Sequence, residues 1–179
     1  MVDVSMNNKT GFVDESIRGQ QYLMACAVIQ ARHFSSLRTY MTSTTHGSSL
    51  HFNREPNHRR RAVLMELRKM PFECFLTFSQ IGQGTPNYVA RNRSLSSIVV
   101  ALQEQRVPQL VIESRSNDKE DVRLIVSVRE SSVPLYFEFR IRKREPLLWI
   151  PDAILWAYGA GGAWRDTAMP LISKVVEVA

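Results

Sequence analysis

The sequence predicts one α/β domain, 1–179, built around a mixed sheet with helices on both faces. Three observations carry that prediction. Two apolar extended segments, 9–16 and 21–30, follow each other across the turn Arg18-Gly19-Gln20. Helical and extended segments then alternate down the rest of the chain. One late segment, 109–114, contains Leu-Val-Ile with no polar alternation, as a strand covered on both faces does. A chain of 179 residues can bury a core without staples, and no linker or internal repeat divides it.

Taken in order, residues 9–16 form a strand that ends in the polar run Asp14-Glu15-Ser16. Residues 31–42 place Phe34, Leu37 and Met41 at helical spacing. The Ser- and Thr-rich stretch 42–53, with His46 and Gly47, reads as a loop. Pro56 suits the start of a helix that runs to about Met70. A third strand spans 73–79, and a Gly-containing loop covers 81–86. The segment 87–105 is an amphipathic helix with Leu95, Ile98, Val99 and Leu102 on one side. Asn117 is placed to cap a helix over 118–130. Residues 135–144 alternate as a half-exposed strand, with Arg140, Arg142 and Arg144 on its polar face. An apolar helix over 147–158 stops at Gly159, Gly161 and Gly162. The tail 174–178 fits a short helix or an edge strand.

Composition narrows the function classes. The hydrophobic fraction of 44% and charged fraction of 22% are those of a globular protein. Cys26 and Cys74 lie in apolar runs without a CxxC partner, so reduced core thiols are expected rather than a disulfide scaffold. The polar stretch 1–9 carries no signal-like apolar core, and no apolar run approaches a bilayer span. A cytoplasmic protein with no membrane association is the expectation. A net charge of +6 favours acidic partners such as nucleic acid.

Acids in apolar settings are the strongest chemical signal, because an ionised carboxylate is rarely buried without a partner. Asp14 closes the first strand. Glu113 follows Leu-Val-Ile on the fourth. Asp152 lies within Leu-Trp-Ile-Pro-Asp-Ala-Ile-Leu-Trp. Each has a structural explanation: a turn, a pair with Arg115, or the first turn of a helix, where the dipole favours acids. If strands one and four are neighbours, however, Asp14 and Glu113 would stand about 5 Å apart, and a crossing helix would bring Asp152 to them. Three such carboxylates repel unless a cation neutralises them. Hard oxygen donors of this kind suit Mg²⁺ or Mn²⁺, and such sites activate water for phosphodiester cleavage. Glu15 is a further oxygen donor beside them.

The segments Phe12-Val13-Asp14-Glu15-Ser16, Leu50-His51-Phe52, Ile112-Glu113-Ser114-Arg115 and Ile150-Pro151-Asp152-Ala153-Ile154 occur in this order. In that order they resemble the bacterial domain of unknown function 3800, a family assigned to the ribonuclease-H-like fold. The resemblance implies a sheet in order 3-2-1-4-5 with the first three strands antiparallel. It also implies a metal-dependent nuclease-like site, with Asp14, Glu113 and Asp152 as its acids and His51 beside them. Two positions depart from the family pattern: Ile17 stands where a glycine is common, and Trp149 where a glutamine often precedes the late aspartate.

The imidazole of His51 is a side chain suited to proton transfer; a hydrogen-bonded histidine at the start of a helix fits equally. His33, His46 and His58 show no ligand spacing. Arg59, Arg60 and Arg61 on the Pro56 helix, with Arg115, are candidate nucleic-acid contacts, although the four consecutive residues His58-Arg59-Arg60-Arg61 splay round a helix and such runs commonly form a solvated face. The leading expectation is a divalent-metal-dependent nuclease using Mg²⁺ or Mn²⁺. The alternatives are a non-catalytic nucleic-acid-binding module, or a protein-interaction module linked to defence or mobile elements, with Trp149, Trp156 and Trp164 as interface candidates.

Overall fold

A computed structural model describes residues 8–45, 49–82 and 84–179. The expectations for the polar N-terminal stretch 1–7 and for His46 and Gly47 lie outside them. Six strands, β1 (Lys9–Arg18), β2 (Gln21–Gln30), β3 (Glu73–Gln80), β4 (Gln109–Glu113), β5 (Tyr136–Arg140) and β6 (Lys174–Glu177), form one sheet in the order β5-β4-β1-β2-β3-β6. β1, β2 and β3 are antiparallel neighbours, while β4 lies parallel to β1 and β5 parallel to β4. The predicted order 3-2-1-4-5 is therefore extended: β6 joins the free edge of β3 in parallel. The tail is a strand, not a helix, and Ser173 anchors it by donating backbone and side-chain hydrogen bonds to the Cys74 carbonyl.

The helices are α1 (Phe34–Ser43), α2 (Asn57–Leu67), α3 (Asn87–Glu104), α4 (Asp118–Val128), α5 (Trp149–Ala160) and α6 (Gly162–Ala168). The pleat of β1 sorts its side chains between two cores. Phe12 faces a core completed by Leu37 of α1, Leu64 of α2 and Ile154 of α5. Val13 faces the opposite core with Leu95 and Leu102 of α3 and Ile125 of α4. Asp14 and Glu15 continue this alternation, so the two neighbouring acids leave the strand on opposite faces. Cys74 belongs to the first core and Cys26 to the second. Both are free, and burial raises both thiols above their ordinary range.

The strand predicted over 135–144 is the main correction. It ends at Arg140, and Arg142–Arg144 form a 3-10 turn. Buried Glu145 stops the strand: it accepts hydrogen bonds from Arg38 at 2.8 and 3.0 Å, from Arg140 at 2.6 Å and from the Leu147 amide at 3.2 Å. The arginine stripe is thereby dismantled, since Arg140 turns to Glu145 while Arg142 turns inward. No helix among the described residues is long and apolar enough to cross a membrane.

Candidate functional site

Asp14, Glu113 and Asp152 come together where the parallel pairing of β1 with β4 ends, midway along β1 and at the last residue of β4. The register pairs Val13 with Ile112, so Asp14 and Glu113 are the next residues along and share the α5 face. α5 crosses that face and presents Asp152 from its first turn. The centre of the cluster is a residue that the sequence reading placed elsewhere. Arg142 donates from Nη1 to Asp14 at 2.7 Å and to Glu113 at 3.4 Å. Its Nη2 pairs with Asp152 and also donates to the Leu50 carbonyl, at 3.1 Å. The Trp149 indole N–H donates to the Arg142 carbonyl at 3.0 Å, which locks the turn that aims this side chain. Trp149, a departure from the family pattern, thus has a definite task.

Two effects compete at Asp14, which is 6% exposed. Burial disfavours the carboxylate, and Glu113 adds repulsion; Arg142 opposes both. Burial wins, and the Asp14 pKa is pushed up to about 7. The Asp152 pKa moves in the same direction, again mainly by burial, against the pull of Arg142 and the Phe52 amide. That amide donates to Asp152 at 3.1 Å. Arg142 itself is held more firmly in its charged form by the surrounding acids, which outweigh its own burial.

Glu15 does not join these acids. On the other face it binds Arg91 and accepts from the Tyr22 hydroxyl, and Arg115 reaches it at 3.4 Å. Arg91, from α3, grips Asp121, from α4, by a two-pronged contact of 2.6 and 3.1 Å. The pairing expected between Glu113 and Arg115 is replaced by these contacts. A cleft of about 230 Å³ opens where the two clusters meet, lined by Asp14, Glu15, Arg91, Glu113, Ser114 and Arg115. A larger depression of about 830 Å³ lies away from these acids, near Val100, Gln103 and Pro134.

His51 is exposed in the segment before α2. Its neighbours Leu50 and Phe52 touch Arg142 and Asp152 through their backbones, whereas no contact of its imidazole with the acids is seen. The basic run divides three ways. Arg59 pairs with Glu55 at 3.0 Å. Arg60 spends its fork on the Phe52 and Asn53 carbonyls and the Asn57 side chain, at 2.7 to 2.9 Å. It is a brace for the segment that holds Asp152 rather than a free phosphate contact. Arg61 is exposed and lies over the Trp164 ring, 5.5 Å from its centroid. Trp149 and Trp156 are core residues, and Trp164 meets Trp156 edge-on at 5.2 Å, which leaves little support for a tryptophan interface. Ile17 is 49% exposed and lets β1 continue to Arg18.

The metal expectation needs one correction. Among the described residues no three His, Cys, Asp or Glu side chains form a ready-made cation cage. The acids converge on a guanidinium, with Asp14 and Asp152 on different nitrogens of it. The donor set nevertheless fits a hard divalent ion: it consists of carboxylates from three elements, and Arg142 is a stand-in cation that marks where they meet.

No family model matches the chain, and no curated protein matches it. Among solved structures, the chain resembles one of the PCNA–RNase HII complex from Archaeoglobus fulgidus, with a TM-score of 0.54 and 13% identity over 84% of this chain and 72% of that one. It also resembles Bst-RNase HIII in complex with Mn²⁺, with a TM-score of 0.55 and 8% identity over 85% of this chain and 52% of that one. The chain spans about half the length of the second. At such identities the likeness shows the fold alone: a mixed α/β sheet flanked by helices, consistent with a ribonuclease-H-like fold.

Proposed function

We propose that this protein is a divalent-metal-dependent nuclease that cleaves phosphodiester bonds of nucleic acid. One observation carries the reading: on a ribonuclease-H-like fold, Asp14, Glu113 and Asp152 converge on one cationic group. Asp14, Glu113 and Asp152 would hold Mg²⁺ or Mn²⁺. When bound, such an ion supplies an activated water and neutralises charge at phosphorus. Arg115, 33% exposed in the adjoining cleft with long contacts of 3.4 and 3.5 Å to its acids, is the side chain most able to turn to a phosphate oxygen. His51, exposed beside the acids' backbone supports, is the proton-exchange group of this reading. The Mn²⁺ complex of the RNase HIII neighbour and the ordered resemblance to the domain of unknown function 3800 support it. A cytoplasmic location and a protein partner belong to the same proposal.

The test is incubation of the pure protein with labelled RNA, DNA and RNA–DNA hybrid, with Mg²⁺ or Mn²⁺ and then with chelator. Metal-dependent cleavage that disappears in Asp14→Ala is expected. Cleavage that persists in chelator, or unchanged in that variant, removes the assignment.

Arg142 favours a second reading, a non-catalytic nucleic-acid-binding module. Its guanidinium serves all three acids. That reading expects salt-sensitive binding that survives Asp14→Ala, with no cleavage under any metal.

A further inference from the structure

We infer that Arg18 is a phosphate-binding residue, holding a backbone phosphodiester of the nucleic-acid strand at a distance from the acids. The inference rests on the nucleic-acid reading above. Arg18 is the last residue of β1 and lies on the same face as Asp14, under α5. Four residues of strand separate the two, about 13 Å, which matches roughly four phosphates of a stacked strand at 3.4 Å each.

The fold provides a bed for this side chain. A Cβ at residue 159 would stand 2.7 Å from the Arg18 Cγ, so glycine there lets the arginine lie across α5. Its guanidinium carbon then sits 5.8 Å from the centroid of the Trp156 ring. Arg91, Arg115 and Arg142 all meet carboxylates through their terminal nitrogens, whereas among the described residues no acid pairs with Arg18; its buried Nε, like those of Arg115 and Arg142, has no hydrogen-bond partner. The planar guanidinium fork matches a phosphate, and the Trp156 ring lies within cation–π range of it. Arg60 approaches the same indole at 4.0 Å, but its donors are consumed by the backbone and Asn57. Arg61 over Trp164 continues the basic surface outward.

Fluorescence anisotropy with a short labelled single-stranded oligonucleotide, in chelator so that nothing is cut, tests this. Arg18→Gln is expected to weaken binding about tenfold at low salt and to make the salt dependence shallower by about 0.7. Gly159→Ala keeps the guanidinium but displaces it, and weaker binding is expected there too. Arg18→Lys keeps the charge without the fork; it should retain the wild-type salt slope at reduced affinity. Thermal unfolding of each variant checks that the fold is intact. Wild-type affinity in both Arg18→Gln and Gly159→Ala overturns the inference and leaves the nuclease reading standing, since cleavage is scored separately through Asp14→Ala. Absence of oligonucleotide binding by the wild type overturns the inference together with the nucleic-acid reading.

Discussion

Adjacent residues of β1 enter two guanidinium–carboxylate clusters on opposite faces of the sheet, and the clusters differ in charge balance. On the α5 face, Asp14, Glu113 and Asp152 share Arg142. On the other face, Glu15 and Asp121 meet Arg91 and Arg115. Three acids against one guanidinium leave a surplus of negative charge; two against two leave none. The balanced cluster ties α3 to α4 through its most buried pair, Arg91 at 5% and Asp121 at 1% exposed. Its form is that of a structural brace. Both clusters have a partly open rim, Glu15 31% and Arg115 33% exposed on one face and Glu113 33% and Asp152 25% on the other, but only the unbalanced one has carboxylates in excess to meet a further cation.

This contrast predicts an ordered series of effects. Arg91→Ala should be the most damaging, because it leaves buried Asp121 with only the long 3.5 Å contact to Arg115. A loss of about 3–5 kcal/mol is expected from urea unfolding, with no recovery in Mn²⁺. Arg142→Gln should cost about 2 kcal/mol in metal-free buffer, since water still reaches Glu113 and Asp152. Here Mn²⁺ should restore the Tm, by binding the folded state where the guanidinium stood. If the two variants respond alike to Mn²⁺, the distinction between the faces collapses.

A gentler probe is pH. Folded Asp14 keeps its proton up to about pH 7, whereas the unfolded chain releases it near 3.8. The native state therefore holds more protons between these values, and the contribution of Asp14 to stability falls as pH rises through that window. The slope is at most about 1.4 kcal/mol per pH unit, and it levels off above pH 7. Asp152 acts in the same direction. Unfolding of wild type and Asp14→Asn across pH 4 to 8 should show the slope reduced in the variant; parallel curves would contradict the buried, proton-holding acid. The smallest effect belongs to Arg61→Gln, within about 0.5 kcal/mol, because the residue is exposed and lies outside both clusters.

Several features were legible from local pattern. The antiparallel start, the apolar β4, the amphipathic α3 and the three acids each have a signature in adjacent residues. The stripe Arg140-Arg142-Arg144 misled for a physical reason. Alternation describes a strand only while the backbone stays extended, and here Glu145, captured by Arg38 from 107 residues away, ends it. Glu15 was grouped with Asp14 by sequence proximity, although the pleat sends neighbours to opposite faces. Arg18 carried no signal at all: its setting depends on Gly159 and Trp156, which only the packing of α5 brings beneath it.

By itself, the sequence determined the layered α/β architecture and named Asp14, Glu113 and Asp152, because periodicity and an acid in an apolar run are local properties. Tertiary structure alone decided what neutralises those acids. A guanidinium and its carboxylates are matched through space, between β1, β4, α5 and the turn after β5, and no spacing along the chain encodes that Arg142 is the cation at their centre.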